Sequence, residues 1–124
     1  MIKDTHKFKL CIIDSKYYLV EIKPNVHFEI DDIKQLVEFQ KEISGIKLPV
    51  LILCLSDTHT DTEVLKYLAK NQNSPFSTAD AFVIYSLAQK ILANAYLKFY
   101  QSERPVKFFN NKEDALEWMQ QFIQ

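Results

Sequence analysis

Glycine is almost missing from this 124-residue chain: Gly45 stands alone. Loops that cradle phosphate need several glycines so that backbone amides can approach the anion, and that class of nucleotide site is excluded. Charge of one sign is missing too. With 15 basic against 16 acidic residues the net charge is −1, so no global field draws the chain to nucleic acid or to an anionic membrane. No long apolar run exists either. The longest, Val50 to Leu55, is far short of the roughly 20 residues a membrane-spanning helix requires, and Met1-Ile2-Lys3-Asp4 opens no signal peptide. A cytoplasmic protein without membrane insertion is expected. The two cysteines, Cys11 and Cys54, sit in apolar, strand-like runs, where a thiol acts as a small hydrophobe. Both reduced and buried is the first reading, and a disulfide or redox pair the second.

What the chain does contain is ordinary for a folded protein, with 48% hydrophobic and 25% charged residues. One domain spanning residues 1–124 is expected, with a core of its own. The organising stretch is Ala79 to Tyr100. It runs without glycine or proline from a strand pattern, Ala81 to Tyr85, into a helix pattern, Leu87 to Phe99. In that helix Ala88, Ile91, Leu92, Ala95 and Phe99 form the expected inward stripe, with Lys90, Asn94, Lys98 and Gln101 opposite.

The other elements follow in order. Phe8 to Ile13 and Tyr17 to Ile22, joined by Asp14-Ser15-Lys16, read as a β-hairpin at a sheet edge. Asp31 and Asp32 precede a helix whose face is Ile33, Leu36, Val37, Gln40 and Ile43, and Gly45 falls where a left-handed cap is wanted. Pro49 introduces the unbroken apolar run Val50 to Leu55, typical of a strand covered on both faces. A polar segment, Ser56 to Glu63, leads into a second helix, with Thr60 and Glu63 at capping-box spacing. After the Asn71–Ser77 loop and the Ala79–Tyr100 unit, Pro105 opens the strand Val106 to Phe109. Asn111 with Asp114 then starts a last helix bearing Ala115, Trp118, Met119, Phe122 and Ile123 on one face.

Strand-helix alternation with short connections predicts an α/β fold: an N-terminal hairpin followed by βα units, with a mostly parallel five-stranded sheet and four helices.

Several segments resemble a known family. They are Ala79-Asp80-Ala81-Phe82-Val83-Ile84, Ala88-Gln89-Lys90 to Phe99, and Arg104-Pro105-Val106-Lys107-Phe108-Phe109-Asn110-Asn111 with Glu113, Ala115 and Trp118. Together they resemble the SpoIIAA-like (STAS) fold of bacterial anti-sigma-factor antagonists, and more closely an uncharacterised bacterial group of STAS/SEC14-like small proteins. In regulatory STAS domains an Asp-Ser pair, followed by glycine, precedes a helix, and a partner kinase phosphorylates the serine. The corresponding place here is Asp61-Thr62, with Glu63 next. The resemblance implies a protein-contact or regulatory role, and on its SEC14 side an apolar pocket for a lipid-like ligand.

Ser56, Asp57, Thr58, Thr60, Asp61 and Thr62 form the candidate regulatory and phosphoacceptor loop. A phosphate at a helix N-terminus would be held by orphan amides. The ordinary role of these residue types is to cap the helix and solvate the loop. Asp57, His59 and Asp61 alternate as oxygen and nitrogen donors a metal would accept, although a solvated acidic loop is the commoner arrangement. His6 and His27 have no nucleophile elbow to serve. The aromatics Tyr96, Phe99, Tyr100, Phe108, Phe109, Trp118 and Phe122 could line a pocket or a dimer face, or pack a core. Lys90, Lys98, Arg104 and Lys107 are the candidates for a basic patch, without the interleaved aromatics that stack bases.

The resulting expectation is a non-enzymatic STAS-like domain with a protein partner or self-association, no nucleic acid, and no cofactor, metal or catalytic residue. The alternative is a small-molecule or lipid-binding module with an aromatic-lined pocket.

Overall fold

The computed structural model describes residues 2–55, 57–99 and 101–123, the side chain of Phe99 excepted. Ile2–Asp4 (β1) pairs antiparallel with Phe8–Ile13 (β2), which pairs antiparallel with Tyr17–Ile22 (β3). The β2–β3 turn places both Asp14 and Ser15 at positive φ, 52° and 56°. Two left-handed residues make a turn whose twist matches the flanking strands, closed by the Lys16 amide donating to the Ile13 carbonyl at 2.8 Å.

The chain continues through His27–Phe28 (β4), Ile30–Ile43 (α1), Leu48–Cys54 (β5), His59–Thr60 (β6), Thr62–Leu68 (α2), Ser77–Val83 (β7), Leu87–Phe99 (α3), Val106–Phe109 (β8) and Lys112–Met119 (α4). Among the described residues the main sheet has six strands, in the order β1-β2-β3-β5-β7-β8, and β4 pairs with β6 beside it. The expected five-strand count is thus corrected to six. β1 has three residues, too few for alternation to show, and it covers the hairpin so that β2 is not an edge. A three-residue edge strand offers little template for unwanted pairing.

β3, β5, β7 and β8 pair parallel in succession, as the βα alternation requires. Each next strand is added on the same side, and right-handed crossovers in such an order put every connecting helix on one face. Accordingly Ile33 of α1, Val64 of α2 and Ala93 of α3 pack with Val20, Ile52 and Phe82. α4 follows the last strand and crosses nothing, so it is free to take the other face. There Ala115 and Met119 pack on Leu51, Leu53, Ala81 and Val83. Both faces of β5 are buried, which accounts for its lack of alternation.

Local chemistry explains the ends. Asp32 caps α1 by accepting from the Glu29 amide at 2.8 Å and from Lys7 Nζ at 3.0 Å. This places both aspartates inside the first turn rather than before it. Gly45 takes φ +66°, the left-handed cap expected of it. Pro49 lies in β5 where the register shifts between Leu48 and Val50, so its missing amide donor falls at an irregularity. Asn111 accepts from the Asp114 amide at 2.8 Å. α2, by contrast, is capped at Asp61, and the Thr60 hydroxyl donates to the Phe28 carbonyl. The tertiary contact has taken the group that Thr60-Glu63 spacing assigned to a capping box.

The inward stripe of α3 is also corrected. Gln89, Ala93 and Tyr96 are buried, and Ile91 is 63% exposed. Ala88 is exposed as well.

Candidate functional site

The polar connection after β5 is a tight turn in which Asp57 has φ 59° and the Thr58 amide donates to the Leu55 carbonyl. Thr58 is buried, and its hydroxyl donates to the Lys23 carbonyl at 2.5 Å. Thr60 spends its hydroxyl on Phe28 at 2.7 Å. Asp57, Asp61 and Thr62 are exposed. Of the candidate phosphoacceptors, Thr62 therefore has the exposed hydroxyl among the described residues, and Ser56 lies outside them.

β4 and β6 bring together residues the sequence kept apart. His27 pairs with His59 in register, their ring centroids 4.9 Å apart. His27 Nε2 lies 3.1 Å from Asp61 Oδ2, a carboxylate 34 residues further along the chain. The Nδ1 of His59 lies 3.2 Å from the Asp57 carbonyl, a contact that keeps it local. Among the described residues no three His, Cys, Asp or Glu side chains converge to hold a metal ion.

Gln89 is the residue that organises this end of the molecule. Its Oε1 accepts from the Tyr85 amide at 2.7 Å and the Ser86 amide at 3.3 Å. Its Nε2 donates to the carbonyls of Leu55 at 3.1 Å and Thr58 at 3.0 Å. Ser86 Oγ accepts from the Gln89 amide in return. A Ser-x-x-Gln capping box at Ser86–Gln89 was the available signal, but the reach across to the 55–58 turn is tertiary. That turn and the first turn of α3 thereby form one continuous surface, which Tyr85, Leu87 and Ile91 continue at 50%, 74% and 63% exposure.

The proposed basic patch does not assemble. Arg104 is buried, its Nε and Nη2 donating to Asp80 Oδ2 at 3.0 and 2.6 Å and its Nη2 also to the Leu68 carbonyl at 2.8 Å. Lys90 and Lys98 sit in the first and last turns of α3, about 12 Å apart along its axis, and Lys107 Nζ lies 5.6 Å from the Phe109 ring centroid.

A cavity of about 100 Å³ lies between the sheet and α1, α2 and α3, walled by Ile33, Ile52, Val64, Phe82, Ala93 and Phe108. It is not the aromatic pocket that was expected. Of the carboxy-terminal aromatics Phe108 reaches it, stacked at 4.9 Å on Phe82. The Trp118 ring of α4 instead meets Phe109 at a tilt and Phe122 edge-on, with centroids 5.8 and 4.9 Å apart, and Phe109 and Trp118 pack on the other face of the sheet. Tyr100 and the Phe99 side chain lie outside the described residues.

Cys54 also lines the cavity, and Cys11 projects to the opposite face of the sheet, as strand alternation dictates. Both are half-buried free thiols. Burial pushes the Cys54 thiol up to about 12 from an ordinary value of 9.0. The folded state holds that proton more tightly, so its contribution to stability is intact below pH 9 and is lost as pH rises towards 12. Between pH 9 and 10.5 the wild type is expected to lose about 2 kcal/mol more than Cys54→Ala in urea unfolding. Parallel losses in the two proteins would count against a buried thiol.

No helix among the described residues is long and apolar enough to cross a membrane. Comparison with known proteins agrees with the architecture. A crystal structure of an uncharacterized DUF3478-family protein with a SpoIIAA-like fold, from Shewanella loihica PV-4, is similar over 96% of this chain and 90% of that one, with a TM-score of 0.56 and 18% identity. At that identity the likeness shows the fold, which is SpoIIAA-like as the sequence resemblance implied. Among curated proteins none matches. The family model described as Domain of unknown function (DUF7793) matches residues 12–123, and the chain therefore belongs to that family.

Proposed function

We propose that the chain is a non-enzymatic binding domain that works through protein contact, with a protein partner or a second copy of itself docking on the outer face of α3 and the adjoining 57–62 segment. The observation that carries this reading is the concentration of exposed apolar side chains: Tyr85, Leu87, Ile91 and Leu97 all lie between 50% and 74% exposed, on or just before one helix. Exposed apolar surface grouped in this way marks interaction sites. Burying Leu87 and Ile91 in a complex is worth about 1.5–3 kcal/mol each, so Leu87→Ser with Ile91→Ser is expected to weaken association at least a hundredfold. Sedimentation over a range of concentrations, together with quantitative retention of proteins from native lysate, would measure it. A wild type that stays monomeric and retains nothing, or a folded double variant that associates equally well, would sink the proposal.

The cavity under α1–α3 favours a second reading, that of a small-molecule binding module. Its wall is apolar, and Gln40, 2% exposed, is among the residues lining it. A few polar groups set in an apolar enclosure are what orient a ligand.

A further inference from the structure

We propose that this cavity takes a small neutral amphiphile, an aliphatic chain ending in one hydroxyl or carbonyl group, bound with its polar end at Gln40 and Ser74. Such a site presupposes the ligand-binding reading and adds to it the ligand's charge, size and direction.

Direction follows from which polar groups are already occupied. Val50, Ile52 and Cys54 line one wall, so the slot follows β5 for about 13 Å at a rise of about 3.3 Å per residue. At the Cys54 end the polar lining is Thr58, His59, Thr60 and Gln89, and His59 is exposed with its Nδ1 3.2 Å from the Asp57 carbonyl. Both hydroxyls are donated to backbone carbonyls, and the Gln89 amide is fully engaged. At the Val50 end the polar lining is Gln40, Ser74 and Asp80. Asp80 is held by Arg104 and by Ser77 Oγ. Gln40 is 2% and Ser74 7% exposed, yet neither side chain has a hydrogen bond among those of the described residues. Among the described residues no polar side-chain atom sealed from solvent lacks a partner, so the polar atoms of these two groups touch open space, and both residues line the cavity. Buried amides and hydroxyls are ordinarily paired, and a ligand's polar end would complete this pair.

Charge follows from the same residues. Among the described residues no Lys or Arg lines the cavity, His59 lies at its opposite, Cys54 end, and the guanidinium nearest its Val50 end is spent on Asp80. A carboxylate head would be buried beside Asp80 without a cation, which burial penalises heavily. An amide and a hydroxyl each donate and accept, matching an alcohol, aldehyde or ketone. Size follows from volume. A cavity of about 150 Å³ takes benzene, with its six heavy atoms, so about 100 Å³ suits a ligand of roughly four to five heavy atoms and is too small for a whole phospholipid.

The test is a titration of the ¹⁵N-labelled chain, followed by NMR, with 1-butanol, butanoate at pH 8, and cyclopentane. Expected are saturable shifts with 1-butanol that include the Gln40 side-chain amide, and butanoate binding at least tenfold weaker. Gln40→Leu is expected to weaken 1-butanol about five- to tenfold and to leave cyclopentane unweakened. Ser74→Ala, expected to act in the same direction, substitutes if Gln40→Leu loses its dispersed spectrum. Butanoate binding as tightly as 1-butanol would overturn the neutral ligand. Unchanged 1-butanol affinity in the variant, or an unmoved Gln40 side-chain signal, would overturn the orientation while leaving ligand binding intact. No saturable response to either 1-butanol or cyclopentane would overturn both.

Discussion

Asp80→Ala is expected to destabilise the fold by about 3–5 kcal/mol, lowering the melting temperature by roughly 10–20 °C. Asp80 is 4% and Arg104 7% exposed, so truncating the acid strands a guanidinium with little water to solvate it. The loss extends beyond the ion pair. Ser77 Oγ donates to Asp80 Oδ1 at 2.5 Å, and Arg104 also reaches the Leu68 carbonyl and Asn71 Oδ1. One carboxylate thus ties the start of β7 to the segment before β8 and to the end of α2. Replacing both partners, Asp80→Leu with Arg104→Met, is expected to recover most of the loss, because the desolvation cost of two charges disappears with them. Urea unfolding of the two single variants and the double variant measures each term. A cost below about 1 kcal/mol for Asp80→Ala would mean that the pair is solvated and the network unimportant.

Gln89→Glu is expected to cost about 2–4 kcal/mol although it changes one atom of the side chain. The amide uses both ends, accepting from Tyr85 and Ser86 and donating to Leu55 and Thr58. A carboxylate keeps the first two bonds and turns an acceptor oxygen, with its charge, towards two carbonyls. The 55–58 turn should then detach from α3. Hydrogen exchange at the Thr58 amide, which bonds to the Leu55 carbonyl, is expected to accelerate more than exchange within β5. Uniform acceleration across the sheet, or a variant as stable as wild type, would show that Gln89 does not hold the turn.

The fold was largely legible because its signals are local. The unbroken run in β5, the alternation in β2 and β3, Gly45 at the end of α1 and Asn111-Asp114 at the start of α4 each act within a few residues. What escaped were elements too short to carry a period, namely β1, β4 and β6, and choices in which a polar group outweighed hydrophobicity. The sequence stripe places Ile91 inward, yet burying Gln89 satisfies four backbone groups, and α3 turns accordingly. Arg104 is a candidate for the basic patch by sequence, yet it is buried. Its partner lies 24 residues away, beyond any local pattern. The 56–62 segment stands out in the sequence as a candidate, but not which of its hydroxyls are engaged, since the carbonyls of Lys23 and Phe28 that take Thr58 and Thr60 lie 35 and 32 residues away.

By itself the sequence determined the parallel α/β layering and its SpoIIAA-like character, because strand and helix periods, caps and crossover handedness are local or follow from element order. Only the tertiary structure decided which polar side chains are engaged and which are left at a surface or a cavity. It joined His27 to Asp61, bound the 55–58 turn to α3, withdrew Arg104 from the surface, and left Gln40 and Ser74 facing a cavity. Each of these depends on which hydrogen-bonding groups meet across the chain, and pairing at that distance leaves no periodic trace in the residues.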